Sequence, residues 1–428
     1  MNPLMLHPPS GSLLARIHVP GSKSVANRAL VCAFLAEGES ELFNVPSGDD
    51  TQALIEALFP GNTRALNGDS NFRVTGRSSV HLPPVVNARL AGTTSRFLTA
   101  VAALGDEPTL IDGDAPLRAR PMLDLHTALA SLGAAVHSQD KPGFLPVVVQ
   151  RGMLDKASVS IAGDISSQFI SALMLIGPCL PQGLSIRIEG PLVSRSYVEM
   201  TARVMTSFGA EVKFTEKEIQ ISAIRYSPRK YVIEPDFSSA AFGVSAVLIR
   251  GGKITITGLA LSCLQGDAAI LDIALIFGAE VLVMGDDIVV SRDVRLPLSA
   301  LSLNMSDCSD LVPAVTVVCC HASGKSVLSG IGFIRSKESD RLGDLAKELN
   351  RMGASVIVTP DGLEITGAPF VSGVVCHTYH DHRLAMALSL CALSVGGVGI
   401  DNPSVVSKSW PTYFEDMTQL LGSTELQN

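Results

Sequence analysis

"TARVMTSFGAEV", residues 201–212, reads as the close of an amphipathic helix, a large apolar residue, a glycine and the start of a strand. Apolar residues recur at i, i+3 and i+4 spacing, and Gly209 stands where a helix ends on a left-handed residue. The same phrase returns as "ALIEALFPG", "LHTALASLGAAV", "LDIALIFGAEV", "AKELNRMGASV" and "MTQLLG". Its glycines, Gly61, Gly133, Gly209, Gly278, Gly353 and Gly422, are 72, 76, 69, 75 and 69 residues apart. After the first five glycines come short strand patterns such as "FRVTG", "IQISA", "IVVSR" and "LEITG". A helix, a turn and a strand pair repeated at this interval is too long for a solenoid and predicts six compact α/β modules.

At 428 residues the chain exceeds what one core usually organises. The reading is two domains of three modules each: residues 20–235, and a discontinuous domain of 1–19 plus 236–428. The boundary falls at "KYVIEPDFSSAAF", where Pro235 marks the crossing and Asp236 or Ser238 caps the next helix. The sixth module lacks strands of its own, and "SLLARIHV" near the N-terminus is expected to supply them.

With 46% hydrophobic and 17% charged residues the chain can bury a large interior. Apolar runs such as 311–320 are far shorter than the roughly 18 to 20 residues a membrane span requires. The N-terminus has no basic start followed by a sustained apolar stretch, so a soluble, cytoplasmic protein is expected. Eight scattered cysteines without C-x-x-C suggest neither a disulfide framework nor a zinc knuckle. A formal net charge of -8 argues against nucleic acid as the main partner.

Positive charge is instead local. Cations recur beside glycines and hydroxyls in "PGSKSVANR", "AGTTSRF", "LRARP", "GDISSQF", "SRSYVEMT", "RSKESDRL", "DHRLAMA" and "KSWPTYF", several at predicted helix starts that favour anions. "PGSKS" is no Walker loop, because Ile17 occupies the position of the required glycine six residues before Lys23. Ser22 or Ser24 can cap the helix there, and Ser24 and Arg28 share a face. In "RSKESDRL" a solvated helix face would pair Lys337 and Arg341 with Glu338 and Asp340. Yet Lys337 and Arg341 as like charges at i, i+4 call for an anion between them. One of Asp307 and Asp310 is expected to cap the apolar helix after them and the other to face the basic cluster. His377, His380 and His382 lack zinc-ligand spacing, and Arg383 beside them repels a cation, so Asp381 is read as orienting the Arg383 guanidinium.

Taken together, these eight ordered stretches resemble the 5-enolpyruvylshikimate-3-phosphate synthases, a family of enolpyruvyl transferases, over nearly the whole chain. The resemblance implies an α/β, two-domain enolpyruvyl transferase-like fold. Each domain has three βαβαββ modules in an inside-out barrel, with the active site in the cleft between domains and closure on binding. It implies that Lys23, Ser24 and Arg28 clamp shikimate-3-phosphate. Ser166, Ser167, Gln168 and Ser194 hold its 3-phosphate, Tyr197 lies near its ring, and Asp310 and Lys337 contact it as well. Lys23, Gly92, Arg120, Gln168, Arg341, Arg383 and Lys408 take phosphoenolpyruvate, with Gly92 a glycine because a side chain would crowd the ligand. Asp310, Glu338 and Lys23 are the acid/base groups, Asp310 at the reacting hydroxyl and the other two at C3. The implied protein is a monomer, without metal or organic cofactor and without nucleic-acid or membrane partners.

The chain departs from the family's common pattern at Leu90, Ser196 and Phe333, where asparagine, proline and asparagine are frequent. Each departure is expected to weaken a secondary contact. A sister family transfers enolpyruvyl to UDP-N-acetylglucosamine but usually carries a cysteine or aspartate five residues before the arginine of its R-P motif, where this chain has Ala115. A non-catalytic sensor of anionic metabolites would keep the cations but give Asp310 and Glu338 no reason to face them.

Overall fold

Five of the repeated glycines lie in the left-handed region, where a side chain would cost about 1–2 kcal/mol, and the last four of them close their helices directly. Gly61, Gly133, Gly209, Gly278 and Gly353 have φ of 83°, 104°, 90°, 81° and 99°. In the last four the residue after the glycine donates its N–H to a carbonyl five residues back, as from Ala210 to Met205 at 3.1 Å and from Ala354 to Leu349 at 3.1 Å. This is the Schellman closure, which satisfies an orphan carbonyl and turns the chain into the next strand. The computed structural model describes residues 2–62, 71–215, 217–260 and 264–421, together with the backbone of 424–426. Gly422 lies outside the described residues.

The chain divides into two compact units, one of Met1–Pro20 with Glu234–Asn428 and one of Gly21–Ile233. Among the described residues each unit contains three small sheets, and all six share one plan: a parallel pair extended on one side by antiparallel pairing. In the Gly21–Ile233 unit, for example, Ser158–Ala162 pairs parallel with Leu184–Glu189, which pairs antiparallel with Glu218–Ile221 and so on to Val212–Phe214. In the other unit Ser302–Asn304, Lys325–Ser329, Gly362–Thr366 and Ser355–Thr359 repeat that order.

One expectation about the N-terminus is corrected. Leu13–Ile17, within "SLLARIHV", does not serve the sixth module but pairs parallel with Gly252–Ile256 of the fourth. Its alternating buried residues Leu13, Ala15 and Ile17 fit the flank of that sheet, where one face meets the core. The sixth module instead takes Leu4–Leu6, which pairs antiparallel with Val398–Ile400 and with Thr424–Leu426, a strand of the module's own.

Each module contributes one helix that is buried almost all round. In the Gly21–Ile233 unit these are Lys23–Leu35, Gly92–Ala102 and Ser167–Ile176, which pack on one another. In the other unit they are Phe237–Arg250, Val312–Cys319 and His382–Ser389. Second helices such as Arg195–Ser207 and Gly343–Arg351 are half-exposed and lie outside, whereas Asp49–Leu58 is largely buried. Helices are thus innermost. Their burial leaves only their ends to meet solvent or ligand, and the chemistry-bearing residues stand at their N-terminal ends.

Candidate active site

In the Gly21–Ile233 unit, Ser22 is the N-cap of helix Lys23–Leu35, its hydroxyl accepting from Val25 N at 3.5 Å. Lys23 opens the helix, and its ammonium donates to Asp50 at 3.0 Å. Asp50 belongs to the neighbouring helix Asp49–Leu58, and its carbonyl accepts from Thr94 at 2.8 Å. Arg28 lies one turn beyond Ser24 and is fully enclosed. Its guanidinium donates to Ser24 O at 2.8 Å, Thr201 Oγ1 at 2.6 Å, and Ser171 Oγ and Tyr197 O at 3.2 Å. It also sits over the Phe97 ring at 5.4 Å. These partners are neutral, and burial lowers the Arg28 pKa to about 10. The residue ties together three helices: its own, Ser167–Ile176 and Arg195–Ser207.

Ser166 caps helix Ser167–Ile176 through Gln168 N at 3.3 Å, and Ser167 is buried in its first turn. Ser194 precedes helix Arg195–Ser207 with a left-handed φ of 52° and is buried. Gly92 opens helix Gly92–Ala102. A Cβ there would stand 2.5 Å from Arg120 Nη1 and 2.5 Å from Arg96 Nη1. Two guanidinium heads therefore converge on the space that glycine leaves, and it is they that a side chain would first displace. Arg96 was not among the expected residues, although its i+4 spacing from Gly92 puts it one turn along the same face. Asp50 and Thr201 were also missed: Asp50 lies in no cation-bearing motif, and Thr201, though it closes "SRSYVEMT", is a neutral residue one turn beyond Tyr197 with no mark of its own.

In the other unit six expected residues form one charged cluster. Asp310 accepts from Lys337 Nζ at 2.8 Å and Arg341 Nη1 at 3.0 Å through Oδ1, and from Arg383 Nη2 at 2.9 Å through Oδ2. Arg341 also donates to Glu338 at 2.7 Å and to Asp381 at 2.7 Å. Lys408 Nζ lies 4.0 Å from Glu338. Arg383 donates further to Ser238 Oγ at 3.0 Å, and Asp236 holds that serine at 2.8 Å while capping its helix. Four cations face the three carboxylates of Asp310, Glu338 and Asp381, so one positive charge is in excess within the cluster. Burial opposes ionisation of Asp310. The charges of Arg383, Lys337 and Arg341 outweigh it and hold the carboxyl well below the usual carboxylate range. Burial pulls Lys337 below the usual lysine value, with Asp310 opposing.

Several local expectations are corrected here. "RSKESDRL" is not a helix: a 3-10 turn spans Gly332–Ser336, and the next helix begins at Gly343. The anion between Lys337 and Arg341 is the protein's own Asp310. Neither Asp307 nor Asp310 caps helix Val312–Cys319, because the turn Ser309–Leu311 leads into it without a side-chain cap. The Asp381 carboxylate accepts the backbone N–H of Arg383 at 2.9 Å, as N-cap of helix His382–Ser389, while the guanidinium it holds is that of Arg341. His377 pairs with Asp401 at 3.0 Å, and His382 is buried beside Asp381. At the departures from the common pattern, Leu90 and Ser196 are half-buried, and the Phe333 ring lies 5.9 Å from the Lys337 ammonium. An aromatic face there approaches the cation where an amide is frequent.

The profile of the family described as EPSP synthase (3-phosphoshikimate 1-carboxyvinyltransferase) matches residues 8–417. The chain belongs to that family. Its relatives include the 3-phosphoshikimate 1-carboxyvinyltransferases of Methanothermobacter thermautotrophicus, 38% identical over 96% of this chain and 97% of that protein, and of Shewanella loihica, 34% identical over 98% and 100%. Among solved structures, EPSP synthase from Acinetobacter baumannii superposes with a TM-score of 0.79 at 23% identity, covering both chains entirely. The enolpyruvyl transferase NikO from Streptomyces tendae gives 0.76 at 18% identity, over 99% of this chain and 98% of that one. These likenesses establish the two-domain enolpyruvyl transferase fold.

Proposed function

We propose that this chain transfers the enolpyruvyl group of phosphoenolpyruvate to the 5-hydroxyl of shikimate-3-phosphate and releases phosphate. Beyond family membership, one observation carries the reading: two carboxylates, Asp310 and Glu338, are embedded among cations that an anion-binding site alone would not need to neutralise. Both substrates are multiply anionic. Helix N-termini and buried guanidiniums are the groups that screen their mutual repulsion and hold them in line.

In this reading the 5-hydroxyl oxygen bonds to C2 of phosphoenolpyruvate as its proton passes to Asp310 and C3 takes a proton from the Lys23 ammonium. The C2–O bond to phosphate then breaks while C3 gives a proton to Glu338, restoring the double bond. The proton count closes when Asp310 and Glu338 return protons to Lys23 and to the departing phosphate. Held ionised by three cations, Asp310 is a weak base until the substrates' carboxylate and phosphate share those cations. Binding of the anions therefore raises its basicity when it is needed.

Arg28, Ser24, Ser166, Ser167, Gln168, Ser194, Tyr197 and Lys337 are assigned to shikimate-3-phosphate. Gly92, Arg120, Gln168, Arg341, Arg383 and Lys408, with Lys23, are assigned to phosphoenolpyruvate. A single chain carries both sets, so the proposal needs only a monomer, acting in the cytoplasm. Among the described residues no helix is long and apolar enough to cross a membrane. The test is phosphate release by Lys23→Met and Glu338→Ala variants with both substrates. Turnover should fall by about 10²–10⁴-fold in each while unfolding by urea is little changed. Full turnover in both would remove the acid/base assignment.

A further inference from the structure

The residues that aim Arg383 are set on a turn of unfavourable geometry. Tyr379 and His380 have φ of 51° and 56°, and Asp381 N donates to Thr378 O at 2.8 Å. Residues 378–381 thus form a β-turn with two successive left-handed residues, a conformation that asparagine and glycine usually supply. Asp381 ends the turn, caps the Arg383 helix and grips Arg341. Strain of this kind persists where surrounding contacts over-determine it.

Those contacts come from two carboxylates. Glu348 is fully buried in helix Gly343–Arg351, which begins two residues after Arg341. It accepts from the Tyr379 hydroxyl at 2.7 Å and from His377 N at 3.2 Å, and pairs with Arg351. Asp401 accepts from Thr378 N at 3.0 Å and binds His377 Nδ1 at 3.0 Å. Burial and the adjacent Glu348 push the Tyr379 pKa up, so the phenol remains a donor across the working pH range. The segments bearing Arg341 and Arg383 are therefore joined near the guanidiniums, by Asp310 accepting from both arginines and by Arg341 and Ser339 donating to Asp381, and remotely by Glu348 accepting from Tyr379 and His377 N.

We propose that Tyr379 and Glu348 are positioning residues, their hydrogen bond latching the turn 378–381 to the Arg341 segment and so setting the spacing of the Arg341 and Arg383 guanidiniums for a carboxylate or phosphate. The inference rests on the assignment of those two arginines to phosphoenolpyruvate. Neither residue touches the reacting atoms. Removing the latch leaves both guanidiniums present, charged and bonded to Asp310, but frees the turn that carries Asp381 to shift, and with it the separation that bidentate anion recognition demands.

The experiment is a double-mutant cycle on the full chain with Tyr379→Phe and Glu348→Leu, which lacks any acceptor for the Tyr379 hydroxyl, reading KM for each substrate, kcat and the thermal midpoint. Wild-type turnover of phosphoenolpyruvate with shikimate-3-phosphate is measured first, and its absence would overturn the functional assignment rather than the latch. With turnover present, each single variant is expected to raise KM for phosphoenolpyruvate about tenfold, leaving KM for shikimate-3-phosphate unchanged and kcat within about threefold. The double variant should be no worse than the Glu348 variant, because Tyr379→Phe removes only the hydrogen bond that the Glu348 variant has already lost along with its contacts to His377 N and Arg351. Lowered thermal midpoints with an unmoved KM for phosphoenolpyruvate would make the contact merely structural and overturn the proposal. So would additive effects, or equal rises in both KM values. If one variant fails to fold, the other alone decides by the same substrate-selective change in KM.

Discussion

Replacing Asp310 by asparagine separates two roles that its surroundings leave entangled, base and anionic anchor. The carboxylate receives N–H groups from Lys337, Arg341 and Arg383, all within 3.0 Å. An amide offers one accepting oxygen and no charge, so at least one cation loses its acceptor and all three lose their central counter-ion. At an effective dielectric constant of about 20, a substrate anion about 5 Å from the carboxylate is repelled by about 3 kcal/mol. Removing that repulsion is worth up to about a hundredfold in affinity, less whatever order the cations lose. If Asp310 also accepts the hydroxyl proton, its loss removes about 10²–10⁴ from the chemical step. Steady-state phosphate release with varied phosphoenolpyruvate should therefore give a kcat lower by that factor together with a lower KM. A kcat within threefold of wild type, or a raised KM, would refute the reasoning and make Asp310 a scaffold for the arginines.

Gly92→Ala should raise KM for phosphoenolpyruvate about tenfold or more with little change in stability, because the methyl meets the side-chain ends of Arg96 and Arg120 rather than backbone. Kinetics beside a urea melt check this. Stability should fall on mild acidification: burial lowers the His126 pKa to about 4 from the ordinary 6.5. Between those values the unfolded chain binds a proton that the folded one refuses, so up to about 3 kcal/mol is lost as pH drops from 6.5 to 4. His126→Phe should flatten that slope in urea melts taken across the window, and an unchanged slope would clear His126 of the effect. Below the ordinary carboxylate range the sign is the same for Asp310, whose contribution is present above about pH 4 and disappears as pH falls through its depressed folded-state pKa.

The repeat was readable because its punctuation is local. A left-handed glycine after an amphipathic helix announces itself at Gly133, Gly209, Gly278 and Gly353 without knowledge of tertiary contacts. Strand pairing was less readable: whether Leu4–Leu6 or Leu13–Ile17 completes the sixth module depends on which distant edge is vacant, and no local pattern encodes that. In the candidate site, residue types in motifs marked which charged groups to follow, but their partners did not follow from proximity in sequence. Asp381 lies two residues from Arg383 and yet serves Arg341, because its own backbone position makes it a cap. Arg96 stood in view as the cation of "AGTTSRF", yet nothing local shows that its head turns back to meet Arg120 beside Gly92, since Arg120 lies 24 residues on. The strained turn at Tyr379 and His380 carries no glycine to mark it, so it too was silent.

The central claim, enolpyruvyl transfer to shikimate-3-phosphate, meets its most direct test in one coupled assay. Purified protein is given phosphoenolpyruvate with either shikimate-3-phosphate or UDP-N-acetylglucosamine, and inorganic phosphate is followed. The account predicts stoichiometric phosphate release with shikimate-3-phosphate and none above background with the UDP-sugar. Release with the UDP-sugar alone, or with neither acceptor, would contradict it.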